Sequence, residues 1–162
     1  MANITYDEAI EAFEYRDGEL FWKIKPHGAV QAGDKVGGVR NDGYVIFGYK
    51  QKRHRAHRII FLMHNGFMPD DIDHIDGNRS NNKIENLRSA TRCQNQYNKK
   101  MMKNNKSGVR CVSWDNSKNK WAVYVNFERK RKFYGYFEDL EIAALVANEV
   151  RDKLHGEFAR AA

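Results

Sequence analysis

Between residues 96 and 108 the chain reads QYNKKMMKNNKSG, a stretch with four lysines and few large apolar side chains apart from a methionine pair. Such a segment has too little apolar surface to cross a core, so the sequence on either side must fold as separate small units. The expected division is a first domain over residues 1–98, a basic linker over 99–106 and a second domain over 107–162. The whole chain has 162 residues and is 41% apolar, enough for compact cores without cross-links. Cys93 and Cys111 are far apart and form no CxxC pair, which argues against a disulfide framework and a thiolate zinc knuckle.

Charge narrows the partners. The formal net charge is +7, which points to a polyanion: nucleic acid first, an anionic membrane surface second. Residues 96–134 carry 11 Lys and Arg against 2 acids, whereas residues 1–95 carry 14 against 13. The partner-facing surface is therefore expected around the linker and the strands after it. No apolar run approaches the roughly 20 residues that span a bilayer, and no basic amphipathic helix is present. The start, MANITYDEAIEAFEY, has acids where a secretion signal has a basic flank, so the reading is a cytoplasmic protein, neither secreted nor membrane-bound.

Thr5 with Glu8 forms a capping-box pattern and predicts a helix over about residues 5–15, ending at Asp17-Gly18. ELFWKIK and VGGVRNDGYVIFGYKQKRHRAH read as a small antiparallel meander. RIIFLMHN, before Gly66 and Pro69, reads as a short buried helix, and residues 89–98 as another with Ser89 as its cap. Beyond the linker, GVRCVSW, KWAVYVNF and KRKFYGYF alternate as three strands. Ala143, Ala147, Val150 and Leu154 then fall at helical spacing, ending at Gly156. The fold class is α+β, with one sheet and one covering helix in the second half.

Chemistry concentrates in DIDHIDGNRSNNKIENLR, residues 71–88. An EF-hand loop fails because counting back from Gly77 puts Ile72 at the first ligand position, and a zinc finger fails for lack of paired soft ligands. A plain hairpin turning at Asp76-Gly77-Asn78, with Asn81 and Asn82 as further turn residues, accounts for most of the asparagines. Against a merely solvated turn stand Asp73 beside His74, Asn86 twelve residues after His74, and Asn95 nine residues further on. A strand pair and a helix can gather these four: carboxylate and amide oxygens suit a hard cation, and a neutral imidazole can take a proton from water.

The run LFWK, AGD, GG, DGY, AHR, NGFMP, DHIDGN, NLR and QN resembles the phage-type HNH endonucleases with the ββα-metal fold, in the variant that ends in Asn. The resemblance covers about residues 20–98. It implies that His74 is the general base, that Asp73 and Asn95 hold one divalent metal, and that Asn86 orients His74 and pins the hairpin. Asn95 stands where many relatives have a second histidine, which favours Mg2+ over zinc, with Mn2+ able to substitute. His57 matches the family's AHR and is read as supporting the fold beside the site. His27, His54, His64 and His155 are read as surface or packing residues, and Arg55 and Arg58 as either phosphate contacts or solvated side chains.

SGVR, Trp114, KWAV, GYF, the alanine-rich helix and LHGEFA resemble an AP2 domain over some fifty residues. That implies a three-stranded sheet on a helix, with the sheet in the DNA major groove. On alternation, Arg110, Val112 and Trp114 share a face, as do Tyr124 with Asn126 and Arg131 with Phe133. Arg110, Trp114, Tyr124, Asn126, Arg131 and Phe133 are the expected DNA contacts, with Trp121 in the core. Arg129, Lys130, Arg131 and Lys132 form a phosphate clamp or else a solvated turn, and the linker lysines Lys99, Lys100 and Lys103 can follow the backbone. Val112, Tyr124 and Asn126 stand where plant relatives carry charged base contacts, so their site preference does not transfer.

Two functions fit: a metal-dependent, homing-type endonuclease cutting one or both strands of double-stranded DNA as a monomer or homodimer, or a non-catalytic DNA-binding regulator on the same scaffold. A base beside two ligands favours the enzyme.

Overall fold

The structure, a computed structural model, describes residues 4–26, 28–98, 101 and 104–159; Lys99, Lys100, Lys103 and His27 lie outside the described residues. It divides into two compact units, Met1–Ala90 and Thr91–Ala162. The division falls ahead of residues 91–98, which the sequence pattern had grouped with the first domain.

The first unit opens with α1, Tyr6–Ala12, whose capping box is formed as the sequence predicts: Thr5 and Glu8 each bond the other's backbone N–H. The helix is shorter than expected, because Phe13–Arg16 (β1) and Glu19–Trp22 (β2) pair across Asp17-Gly18 as a hairpin. Both turn residues have positive φ, 45° and 88°, the geometry that matches strand twist in two-residue turns. The pairing buries Phe13, Leu20 and Trp22, and burying an apolar side chain of this size is worth roughly 1.5–3 kcal/mol, more than a further helical turn on the surface would return.

Gly38–Val39 (β3), Val45–Tyr49 (β4) and Lys52–Arg55 (β5) form the expected antiparallel meander. α2, Ala56–Asn65, runs directly out of β5 and ends at Gly66 in the left-handed conformation. Its Ile59, Ile60, Phe61 and Leu62 enter a core shared with Phe13, Leu20, Trp22, Val36 and Phe47. The hairpin of Asp71–His74 (β6) and Leu87–Ala90 (β7) follows, with a 3-10 turn, Ile84–Asn86, leading into β7.

The second unit begins with α3, Arg92–Tyr97, capped reciprocally by Thr91 and Gln94. Ser89, expected as the cap, is instead paired with Ile72 in the β6–β7 ladder. Val112–Asp115 (β8), Lys120–Phe127 (β9) and Lys130–Phe137 (β10) form an antiparallel sheet with β9 central. α4, Leu140–His155, starts where Asp139 accepts from the Glu141 and Ile142 N–H groups, and sets Ala143 and Ala147 against Val112, Val123 and Val125. Tyr97 of α3 stacks on His155 at 3.8 Å and 6°, and its hydroxyl accepts from the Glu128 N–H at the β9–β10 turn.

Candidate active site

β6 buries Ile72, Asp73 and His74 in succession, the last two each 4% exposed. Successive strand residues point to opposite faces, so both sides of this hairpin are covered, and a carboxylate and an imidazole are withdrawn from water together. Each has a partner. Arg88, opposite Asp73 across the hairpin, donates twice to Asp73 Oδ2, from Nε at 3.0 Å and Nη2 at 2.7 Å. His74 Nε2 lies 3.0 Å from Asn82 Oδ1, and its ring meets the rings of His57 at 4.9 Å and Tyr44 at 6.1 Å.

Asn82 is the residue that sequence reasoning missed. It was grouped with the turn asparagines, yet it is 2% exposed. The N-terminal hairpin helps to place it: the Tyr15 hydroxyl accepts from the Ile84 N–H, and Lys83 pairs with Asp17. A Cβ on Gly18 would come 3.0 Å from Lys83 N and 3.3 Å from Asn82 C, so the close approach of this loop requires glycine.

Asn86 pins the loop. Its Oδ1 accepts from the Asp76 N–H, while Nδ2 donates to Asp76 Oδ1 and to the Asn81 carbonyl. Its own carbonyl accepts from the Ile75 N–H, next to His74, while Asn82 Oδ1 accepts from the imidazole Nε2. Asn78 and Asn81 are turn residues as expected, bonding within the loop around Asp76. Burial opposes ionisation of Asp76, but bonds from Asn81, the Asn78 N–H and Asn86 outweigh it and hold the carboxyl below its ordinary range.

Burial lowers the pKa of His74, with the Asn82 bond and the charges of Asp76 and Asp73 opposing it. His57 is pushed down to about 3, by burial first and then by the neighbouring His74, Arg55 and Arg58. Both rings are therefore neutral near pH 7. No group of three or more His, Cys, Asp or Glu side chains converges as a metal cluster among the described residues. Asn95 lies half-buried on α3, its N–H bonded to the Thr91 carbonyl at 3.0 Å.

In the second unit, the register gathers Tyr124, Asn126, Arg131 and Phe133 on one face of the sheet, since Tyr124 pairs with Phe133 and Asn126 with Arg131. Tyr136 joins them: Phe133 lies 5.1 Å from Tyr124 and 4.9 Å from Tyr136, and the Arg131 guanidinium stacks 3.9 Å above Tyr124. Trp114 belongs to the opposite face. It pairs with Trp121, in step with the Val112–Val123 pair that meets α4, and the two indoles touch at 4.9 Å. The expected grouping of Arg110 with Val112 and Trp114 fails at Cys111, whose φ of 64° interrupts strand alternation before β8 begins. Arg129 sits with Glu128 in a two-residue turn of positive φ, and Arg129, Lys130, Arg131 and Lys132 are all exposed.

No helix among the described residues is long and apolar enough to cross a membrane. Residues 54–97, from the end of β5 through α3, match the family model described as HNH endonuclease. The chain is 38% identical over 116 residues to protein 3.8 of Escherichia phage T7, which covers 69% of this chain and 95% of that protein. It is also 38% identical over 120 residues to a protein of Acanthamoeba polyphaga mimivirus described as an uncharacterized HNH endonuclease, covering 72% of this chain and 61% of that protein. No solved structure matches the chain significantly. The chain thus belongs to the family of the T7 protein and carries an HNH endonuclease domain at residues 54–97.

Proposed function

We propose that this chain hydrolyses phosphodiester bonds of duplex DNA with the help of one divalent cation, Mg2+ by preference, and that its second unit is an AP2-like module that positions the cut. The observation that carries the reading is the His74–Asn82 hydrogen bond in a buried site beside Asp73. With the amide oxygen of Asn82 as acceptor, Nε2 carries the hydrogen and Nδ1 the lone pair. Burial keeps the ring uncharged near neutrality, so the imidazole can take a proton from water as the water oxygen bonds to phosphorus and the 3′-oxygen departs. Asn86 holds the loop that carries Asn82, and His57 packs against His74 without adding charge.

Asp73 is a hard oxygen donor fixed by β6 and by Arg88, which donates to its Oδ2 from Nε and Nη2. One such donor makes no complete cage, which suits Mg2+, an ion that keeps waters and fills its shell with substrate phosphate oxygens. Asp73 would be its ligand from the first unit. Bound there, the cation supplies positive charge to the pentacovalent phosphorus and the leaving oxygen.

The AP2-like reading of the second unit is supported by its three-stranded sheet against α4 and by the face carrying Tyr124, Asn126, Arg131 and Phe133. An arginine and an amide between rings suit a DNA groove, and the exposed cations at the β9–β10 turn suit its phosphates.

The test is incubation of supercoiled plasmid with the full chain, in Mg2+ and in EDTA, alongside His74→Ala. Nicked or linear product from the wild type in Mg2+ only, with none from the variant, is the expected result. Intact plasmid throughout Mg2+ and Mn2+ titrations, or equal cutting by the variant, removes the mechanism.

A further inference from the structure

We infer that Arg55 and Arg79, both seated on the ring of Tyr44, form a binding site for a DNA backbone phosphate beside His74. The inference rests on the nuclease reading above and adds to it the residues that seat the strand. Three separate segments build the site. Tyr44 stands at the head of β4, Arg55 at the junction of β5 and α2, and Arg79 in the loop between β6 and β7. The guanidinium carbons lie 4.4 Å and 4.9 Å from the tyrosine ring centre, within the range of cation–π attraction. That ring is itself 5.2 Å from His57 and 6.1 Å from His74. The fold therefore delivers two cations to the rim of the buried imidazoles.

No carboxylate neutralises them. Arg79 Nη1 donates to the Asp42 carbonyl at 2.9 Å, and neither Arg55 nor Arg79 forms an ion pair among the described residues. The nearby acids are engaged elsewhere: Asp42 Oδ1 accepts from the Tyr44 N–H, Asp73 binds Arg88, and Asp76 holds the loop. Arg58 contrasts with this pair, because its guanidinium bonds the Pro69 and Asp70 carbonyls and ties α2 to the chain ahead of β6. Of the two arginines flanking this histidine-bearing turn, Arg58 is thus structural and Arg55 is presented to solvent.

α2 reinforces the field. Arg55 is its N-cap, no side chain caps the helix, and its first turn holds no acid. Unbonded amides and the positive end of the helix dipole then add to the two guanidiniums. Like charges gathered on one ring repel each other, and an incoming phosphate relieves that repulsion while accepting hydrogen bonds from both planar forks. Tyr44 is the positioning residue, since it fixes where both forks stand.

The test is equilibrium binding of a fluorescent duplex oligonucleotide to the full chain, in EDTA, over a series of KCl concentrations. Removing one phosphate contact reduces the slope of log affinity against log salt by about one. Arg55→Ala and Arg79→Ala should each do so and weaken binding several-fold, the double variant should lose about two, and Arg55→Lys and Arg79→Lys should recover most of the slope. Arg58→Ala should keep the wild-type slope. Wild-type slopes for both alanine variants, or equal losses in the alanine and lysine variants, overturn the site. The measurement needs no cleavage, so failure of the plasmid assay with reduced slopes sinks the nuclease reading alone, whereas cleavage with unchanged slopes sinks this inference alone.

Discussion

Asn82 Oδ1 lies 3.0 Å from His74 Nε2, and both side chains are almost wholly buried. An amide oxygen at this position fixes the tautomer, and with it the nitrogen that can accept a proton.

Asn82→Ala should therefore lower the rate of plasmid cleavage by about 10- to 100-fold, the usual effect of losing a partner that orients a reacting side chain. Affinity for duplex DNA in EDTA should be unchanged. Asn82→Asp, which keeps an acceptor, should retain more activity than the alanine variant. Equal rates for wild type and Asn82→Ala would show that the imidazole is oriented by something else.

Arg88 holds Asp73 in a buried pair, with side-chain exposures of 13% and 5%. Removing the guanidinium leaves an unpaired carboxylate inside the hairpin, which costs about 3–5 kcal/mol. Arg88→Ala should accordingly unfold at lower denaturant than wild type in EDTA. If Asp73 is a metal ligand, Mg2+ at millimolar concentration should restore part of that loss, because a cation bound only by the folded state stabilises it by mass action. A deficit identical with and without Mg2+ would argue against Asp73 as a ligand.

The same hairpin shows how far the sequence could be read. Asp73, His74 and Asn86 stand out by type and spacing, and the strand pair that carries Asp73 and His74 forms as expected. Asn82 does not stand out, because the loop offers several asparagines of equal local character. What selects Asn82 is the seating of its loop on the N-terminal hairpin, where Gly18 approaches Asn82 and Lys83 and Tyr15 bonds Ile84, more than sixty residues away in sequence. Arg88 was legible only as part of NLR, since its role depends on register with Asp73. Helix ends were misread where a hairpin competed for the same residues, at Phe13 and Ser89. In the second unit, period-2 reasoning placed Tyr124 with Asn126 and Arg131 with Phe133, but wrongly joined Arg110 to Val112 and Trp114, because nothing local signals the left-handed residue at Cys111.

Phe133 and Tyr136 are 48% and 38% exposed on the face opposite α4. Substituting Phe133 by alanine should weaken duplex binding by about tenfold, in line with the roughly 1–3 kcal/mol carried by a ring stacked on a base or groove edge. Thermal stability should barely change. Trp114→Ala should do the reverse, lowering stability through loss of the Trp121 contact while leaving affinity near wild type. Affinity tracking Trp114 and not Phe133 would place the DNA on the other side of the sheet.

His57 gives the fold a pH dependence with a definite sign. Its pKa is about 3 in the folded chain against 6.5 ordinarily, so below 6.5 the unfolded chain takes up a proton that the native chain refuses. Stability must then fall as pH drops from 6.5 toward 3, with His57 contributing up to about 1.4 kcal/mol per pH unit. His74, also lowered, acts in the same direction. His57→Phe keeps a ring against Tyr44 and removes a buried Nδ1 that has no hydrogen-bond partner. The variant should lose little stability at neutral pH and show a shallower decline on acidification, measured by urea unfolding at fixed pH steps. Carboxylates such as Asp76 remain in both proteins, so the difference between the two curves isolates the histidine. Parallel curves would mean that His57 titrates normally and is not held neutral by burial.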